Sequence, residues 1–249
     1  MTDKRPIILH VAFLAVLACA FFVLPTYHAG NVARIMVLAI YAMGYNFLFG
    51  YTGLLSLRHA LFFAAGMHGL GLSMTGWGLS PVPALLFGVI CAALTGLVIG
   101  FLALRTKGVA FMIVTLMFAQ AGYLTVLYFG EYTRGDEGFV IQQAERILWG
   151  LDLSDPTNRY FAAFVLFATC LLLTLWLVRA PFGKVLVAIR ENEERARMLG
   201  YDVFAHKLAA VVVSGTISAA AGAVYGLLFG YVGASFASVQ YSIFPLLWV

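Results

Sequence analysis

Charge is confined to a few stretches of this chain, and that confinement constrains its fold more than any other feature. Of 249 residues, 63% are hydrophobic and 10% are charged, against roughly 25% charged in soluble domains. Apolar runs near 7–24, 32–50, 60–76, 81–104, 108–129, 159–178 and 208–230 approach the ~20 residues that cross a bilayer as a helix. Hydrocarbon offers the backbone no partner, so a span must satisfy its own N–H and C=O groups, which a helix does. The expected fold is all-α: a polytopic transmembrane helical bundle of about seven complete spans. A further apolar run begins near Ile243 and breaks off at Val249. We expect a truncated C-terminal span there, because a free carboxylate is costly in hydrocarbon. No linker or internal repeat divides the chain, so 1–249 reads as one membrane domain.

The charges also predict orientation, since Lys and Arg accumulate on the cytoplasmic side. Lys4 and Arg5 place the N-terminus in the cytoplasm, ahead of an uncleaved first span. Alternation then puts loop 130–158 outside and loop 179–207 inside. Loop 130–158 holds Glu131, Asp136, Glu137, Glu145, Asp152 and Asp155 against Arg134 and Arg146. Loop 179–207 holds Arg179, Lys184, Arg190, Arg195, Arg197 and Lys207. Arg34, near the outer end of the second span, dissents and is expected to snorkel to the headgroups. The net charge of +4 fits anionic lipid facing the cytoplasmic loops; no clustered basic face suggests nucleic acid. Cys19, Cys91 and Cys170 sit in apolar runs without metal-ligand spacing.

Two segments interrupt the oil. Gly50-Tyr51-Thr52-Gly53-Leu54-Leu55-Ser56-Leu57-Arg58-His59 places glycines and polar groups between two spans. One reading is a broken-helix element on a transport path, because irregular backbone at membrane depth is tolerated where it is buried or lines a cavity. Gly50, Thr52, Gly53, Ser56, Arg58 and His59 are then the candidate path residues. The other reading is a plain cytoplasmic turn. The second segment, 179–207, predicts a helix over about 184–199 after Pro181, capped by Gly200. The pairs Glu191–Arg195 and Glu193–Arg197 would brace it, and Leu186, Ile189, Ala196 and Leu199 give it an apolar side. It is too polar to span and is expected along the cytoplasmic face, either as a partner's contact or as a solvated linker.

Weaker signals remain. Gly222, Gly226 and Gly230, and Gly96 and Gly100, recur every four residues and permit close helix approach. His68, Gln120, Tyr123 and Tyr225 fall within spans, where polar groups usually face the bundle interior. Thr133–Phe139 reads as an outer turn, either a docking or gating element or a solvated loop tip.

The stretch GYTGLLSLRHALFFAAG resembles the signature of branched-chain amino acid ABC transporter permeases of the LivM type. LRTKGVAFMIVTLMFAQ, TRGDEGF, FGKVLVAIRENEERARMLGYDVFAHKLAA and AGAVYGLLFGYV are similar to further family stretches, in the family's order, so that the resemblance covers roughly 50–240. It implies a transmembrane permease domain over 1–249 in a bacterial inner membrane, with 179–207 as its cytoplasmic coupling loop. It implies as partners a second permease subunit of the LivH type, two cytoplasmic ATPase subunits and a periplasmic substrate-binding protein. ATP would be hydrolysed by those partners, leaving this chain without catalytic residues, cofactor or metal. Arg190, Glu191, Arg195, Ala196 and Gly200 fall on or beside the family's ATPase-coupling pattern. Two residues depart from it: Leu54 stands where the family usually has Gln, and Arg58 where it usually has Gly. Either the segment is exposed, or Arg58 meets an anionic group such as a solute carboxylate.

The same architecture could carry urea or short amides. An ion-coupled carrier without an ATPase is a third possibility, but it would be expected to hold acids within its spans, and none of the seven contains Asp or Glu. Nothing in the spans matches a metalloprotease or serine-hydrolase motif, and no Walker A sequence is present.

Overall fold

A computed structural model describes residues 5–248. The chain runs through α1 (Arg5–Val23), α2 (Thr26–Thr52), α3 (His59–Trp77), α4 (Pro81–Ala103) and α5 (Gly108–Tyr128), then a single turn, α6 (Gly130–Thr133). The strands β1 (Phe139–Val140), β2 (Ile147–Leu148) and β3 (Leu151–Asp152) follow, then α7 (Pro156–Arg179), α8 (Pro181–Glu191) and α9 (Glu193–Met198). The long α10 (Val203–Phe229), β4 (Tyr231–Val232) and α11 (Val239–Trp248) complete it.

Each of the seven expected spans coincides with one long helix. The largest offsets are at the starts of α2 and α10, where polar residues that read as loop belong to the first turn. The Asp202 side chain, for example, accepts from Ala205 N at 2.9 Å and caps α10. Five helices, α2, α4, α5, α7 and α10, are long and apolar enough to cross a membrane. The described apolar part of α1, Leu9–Val23, is shorter, and α3 is diluted by His59 and His68. The chain is a multi-pass membrane protein. Lys4 and the Arg5 side chain, on which the expected orientation of the N-terminus rests, lie outside the described residues, as does Val249.

The buried centre is α10 against α3. The backbones touch: a Cβ on Gly222 would strike the Phe63 carbonyl, and one on Gly66 the Ala219 carbonyl. Gly96 faces Phe62 and Val212, and Gly100 faces Leu208 and Val211. The repeated glycines therefore serve packing within this chain. Gly230 is not part of a helix face; at φ +70 it ends α10.

The bundle has two distinct ends. At one, β1 pairs antiparallel with β4 (Phe139 opposite Val232), and β2 pairs with β3 around Trp149-Gly150. Tyr27, Trp77, Tyr128, Tyr132 and Trp149 are exposed there, as in an interfacial aromatic belt. We call this the hairpin end. At the other lie α8 and α9.

The helix expected over 184–199 is broken. Asn192 adopts φ −158 and ψ 102, and its side chain accepts from Arg195 N at 2.8 Å. Asparagine competes for backbone donors in this way and so starts α9 rather than continuing α8. Glu191 and Arg195 fall on opposite sides of the break and form no ion pair among the described residues. Glu193–Arg197 does form, at 3.2 Å. Leu186, Ile189 and Ala196 are buried as expected, but Leu199 is 71% exposed. Gly200 at φ +88 ends the turn, its N–H on Arg197 O and the Tyr201 N–H on Ala196 O.

Glu193 gathers this end together. It accepts from Lys207 at 2.6 Å and also lies 3.9 Å from Lys107, at the start of α5. The Lys207 hydrogen bond, against partial desolvation and helped by the charges of Lys207, Lys107 and Arg197, holds its carboxyl below the ordinary 4.5. A depressed carboxylate stabilises fully above its unfolded value and loses that contribution as pH falls through the folded one. Glu193→Gln is therefore expected to cost under about 1 kcal/mol at neutral pH. The difference in unfolding temperature from wild type should vanish well below pH 4.5; a constant offset would refute the pairing.

Candidate functional site

The segment joining α2 to α3 is neither a solvated turn nor a break inside one span. It turns back into the bundle. Gly53, in the left-handed region at φ +69, stops α2 with its N–H on Phe49 O. Thr52 is buried and donates to Leu48 O. The next residues run without helical structure to His59, where α3 starts.

Three hydrogen bonds fix how deep α3 starts. His59 Nε2 lies 2.8 Å from Ser214 Oγ, which donates to Gly44 O at 2.6 Å. Gly44 is eight residues above the end of α2, about 12 Å along its axis, and Ser214 is eleven residues into α10, about 16 Å. On the third helix, Leu57 N donates to Thr115 Oγ1 at 3.1 Å, about 10 Å from the start of α5. Residues 53–58 thus return roughly a third of the way along α2 and α5 before α3 begins.

Ser56, Arg58 and His59 are fully buried. The Ser214 hydroxyl has one hydrogen and gives it to Gly44, so His59 Nε2 must be the donor to Ser214. The Tyr45 ring packs on the His59 ring at 4.7 Å. Ser218 sits beside Gly44, where a Cβ would meet its hydroxyl at 2.5 Å. Arg58 is 0% exposed and lies over Phe62 and Phe111 at 5.4 and 5.7 Å. None of its three guanidinium nitrogens has a hydrogen-bond partner among the described residues, nor do the Tyr45, Ser56 and Ser218 hydroxyls. An unpaired buried ion costs several kcal/mol. Of the two readings of Arg58, exposure and an anionic partner, its burial removes the first. What remains is a buried guanidinium without an acceptor among the described residues.

Two cavities lie along α3, and neither is lined by Arg58. One of about 1200 Å³ opens at the hairpin end between Gly69, Gly76, Trp77, Glu131 and Arg134. Another, of about 410 Å³, is almost wholly apolar and lies among Leu61, Ala64, Ile99, Phe118 and His68. Both touch Ala65, and Leu61 is one turn from Arg58. His68 Nδ1 must donate to Ala64 O at 2.9 Å, which makes the partnerless Nε2 of a neutral ring an acceptor.

The second group of candidate residues is attached to the first. Arg190, near the end of α8, donates from Nη1 to the Gly50 carbonyl, and its stem crosses Gly53. It covers an orphan carbonyl at the negative end of α2. Glu191 and Arg195 are exposed, Ala196 is buried, and Gly200 is exposed in its left-handed turn. Tyr225 is buried, Gln120 is exposed, and Tyr123 reaches Asp136 at 3.5 Å.

Sequence reading missed Tyr45, Thr115, Ser214 and Ser218. A signal existed for the last two: Ser214, Ser218 and Gly222 form a small-residue stripe at four-residue spacing on one side of α10. Nothing in the sequence links Arg190 to Gly50.

The family model described as "Branched-chain amino acid transport system / permease component" matches residues 29–249. The chain belongs to this permease family. It is 30% identical to the high-affinity branched-chain amino acid transport system permease protein LivM of Escherichia coli (strain K12), over 79% of this chain and 52% of that protein. It is 29% identical to the Salmonella typhimurium LivM with the same coverage. A probable branched-chain amino acid transport permease protein LivM of Methanocaldococcus jannaschii is 34% identical over 36% of this chain and 27% of its own. The chain spans about half the length of the bacterial relatives. No solved structure matches it significantly.

Proposed function

We propose that this chain is the transmembrane permease subunit of an ATP-binding cassette importer for branched-chain amino acids in a bacterial inner membrane, its N-terminus and α8–α9 end in the cytoplasm. It works beside a second permease subunit of the LivH type, two cytoplasmic ATPase subunits and a periplasmic substrate-binding protein. The partners hydrolyse ATP; this chain supplies path and lever. The observation that carries the reading is the fully buried, partnerless Arg58 guanidinium below the α3 cavities, in a segment tied to α8.

The chemistry follows from the groups present. A solute carboxylate is the acceptor that Arg58 lacks, and a guanidinium takes it bidentately. The Ser56 hydroxyl, two residues along the same segment, is a further unpaired group. The apolar walls at Leu61, Ile99 and Phe118 suit an aliphatic side chain. His68 is nine residues beyond His59, about 14 Å along the axis. It and Arg58 are therefore successive stations, with the His68 acceptor suited to an ammonium. ATP binding in the partners shifts the balance of inward and outward states through their differential contacts with α8 and α9. Arg190 passes that displacement to the end of α2 and to the segment bearing Arg58.

The test is uptake by vesicles holding the full set of subunits. Glu191→Arg, on the exposed end of α8, and Arg190→Ala are each expected to cut ATP-driven uptake about tenfold, a loss of about 1.4 kcal/mol in coupling, while ATP hydrolysis continues. Normal driven uptake in both variants overturns the lever role.

A further inference from the structure

At the hairpin end, to one side of the proposed path, three arginines converge and form no ion pair among the described residues. Arg34 of α2 lies over the Phe229 ring at 5.0 Å, and Arg159 of α7 lies over the same ring at 5.9 Å. Arg146 donates to Leu228 O at 3.3 Å, one residue away. Burial and the charge of Arg159 both depress the Arg146 guanidinium, with Asp152 opposing. Among the described residues none of the three forms an ion pair, and the Nε atoms of Arg146 and Arg159 are buried without a partner.

The neighbouring aspartates hold other hydrogen bonds, although the charge of Asp152 still acts on Arg146. Asp155 accepts from Thr157 N and Asn158 N, and Asp152 from Ser154 N and Gln143. Arg34 and Arg159, but not Arg146, face a cavity of about 250 Å³ that Tyr27, Asn31 and Phe229 help to line. The first turns of α2 and α7 border it, and helix N-termini carry partial positive charge.

Arg34 makes the case acute. It is eight residues into α2, about 12 Å along the axis, and exposed on the outside of the bundle. A cation on the exposed side of a spanning helix is costly unless it reaches an anion at the boundary. A second guanidinium over the same ring adds repulsion that an anion would reverse.

We propose that Arg34 and Arg159, sharing the Phe229 ring, form a binding site for a phosphate-bearing anion at the membrane boundary. The planar forks suit phosphate oxygens bidentately, the Asn31 amide and Tyr27 hydroxyl can donate from the rim, and the aromatic belt sets the site at headgroup level. The same chemistry serves a lipid headgroup or free phosphate.

Native mass spectrometry of the full chain after detergent exchange, with phosphatidylglycerol as probe, tests the first source. Wild type is expected to retain the lipid about tenfold better than R34Q/R159Q. Thermal unfolding of delipidated protein in inorganic phosphate against chloride at equal ionic strength tests the second. A phosphate-specific rise in unfolding temperature, seen in wild type and lost in the variant, supports a free-phosphate site. If neither probe separates wild type from R34Q/R159Q, the proposal is overturned. Should that variant fail to fold, R34K/R159K keeps the charge and removes the forks. A several-fold weaker response to either probe then supports the site, and a response equal to wild type to both overturns it.

Discussion

Arg58→Met is expected to raise the unfolding temperature of the chain while cutting uptake of carboxylate-bearing solutes by about two orders of magnitude. The two effects have opposite signs because one group causes both. In the empty chain the guanidinium is buried against Phe62 and Phe111 with no acceptor. Methionine keeps much of its length without the charge, and replacing a buried ion by a packed apolar side chain often stabilises by about 1–4 kcal/mol. Loss of one partner from a desolvated charge pair costs about 2–5 kcal/mol of binding, and about 2.7 kcal/mol is a hundredfold. Thermal unfolding of the purified chain and initial uptake rates in reconstituted vesicles read the two arms. Unchanged uptake in Arg58→Met would remove Arg58 from the solute path, and a lowered unfolding temperature would mean that its stacking outweighs its desolvation.

The second large effect lies in the helix core. Gly222→Leu should prevent the chain from assembling. The Phe63 carbonyl occupies the space that even a Cβ at 222 would need, and backbone cannot swing aside as a side chain can. In lipid, helices associate through close packing rather than through exclusion of water, so separating α10 from α3 removes the contact that organises the bundle. Gly96→Ala serves as the control, since its nearest neighbour is the Phe62 ring at 3.6 Å, ordinary contact. Folded yield after detergent extraction is the measurement: near zero for Gly222→Leu, close to wild type for Gly96→Ala. Comparable yields would show that the α3–α10 contact yields more easily than its geometry implies.

The spans were legible because a bilayer imposes one length and one composition on everything that crosses it. The seven runs fall on seven long helices, five of them long and apolar enough to span, and the misplaced starts of α2 and α10 fall where polar residues belong to the first turn of a helix. Arg58 stood out in sequence as a departure from its family, but its burial did not, because depth at a loop depends on which helices close around it. Ser214 on α10 and Thr115 on α5 set that depth, and neither is near 50–59 in sequence. The break between α8 and α9 shows a different limit. Composition over 184–199 favours a continuous helix, and one asparagine with an alternative use for its side chain decided otherwise. The Glu191–Arg195 pair failed for that reason and not through spacing.

Residues 53–58 carry a consequence for the energetics of opening. Beneath the α3 cavities the wall on the α8 side is a strip of irregular chain, pinned at one end by Arg190 on Gly50 and at the other by His59 on Ser214. On the proposed path, a barrier of that construction would be thin. It can yield by exchanging a few hydrogen bonds, leaving the glycine-locked contact of α3 and α10 undisturbed. Ion leak through the resting protein and the effort needed to admit a solute should both be governed by those two pins, so that loosening either would trade tightness of the seal for ease of passage.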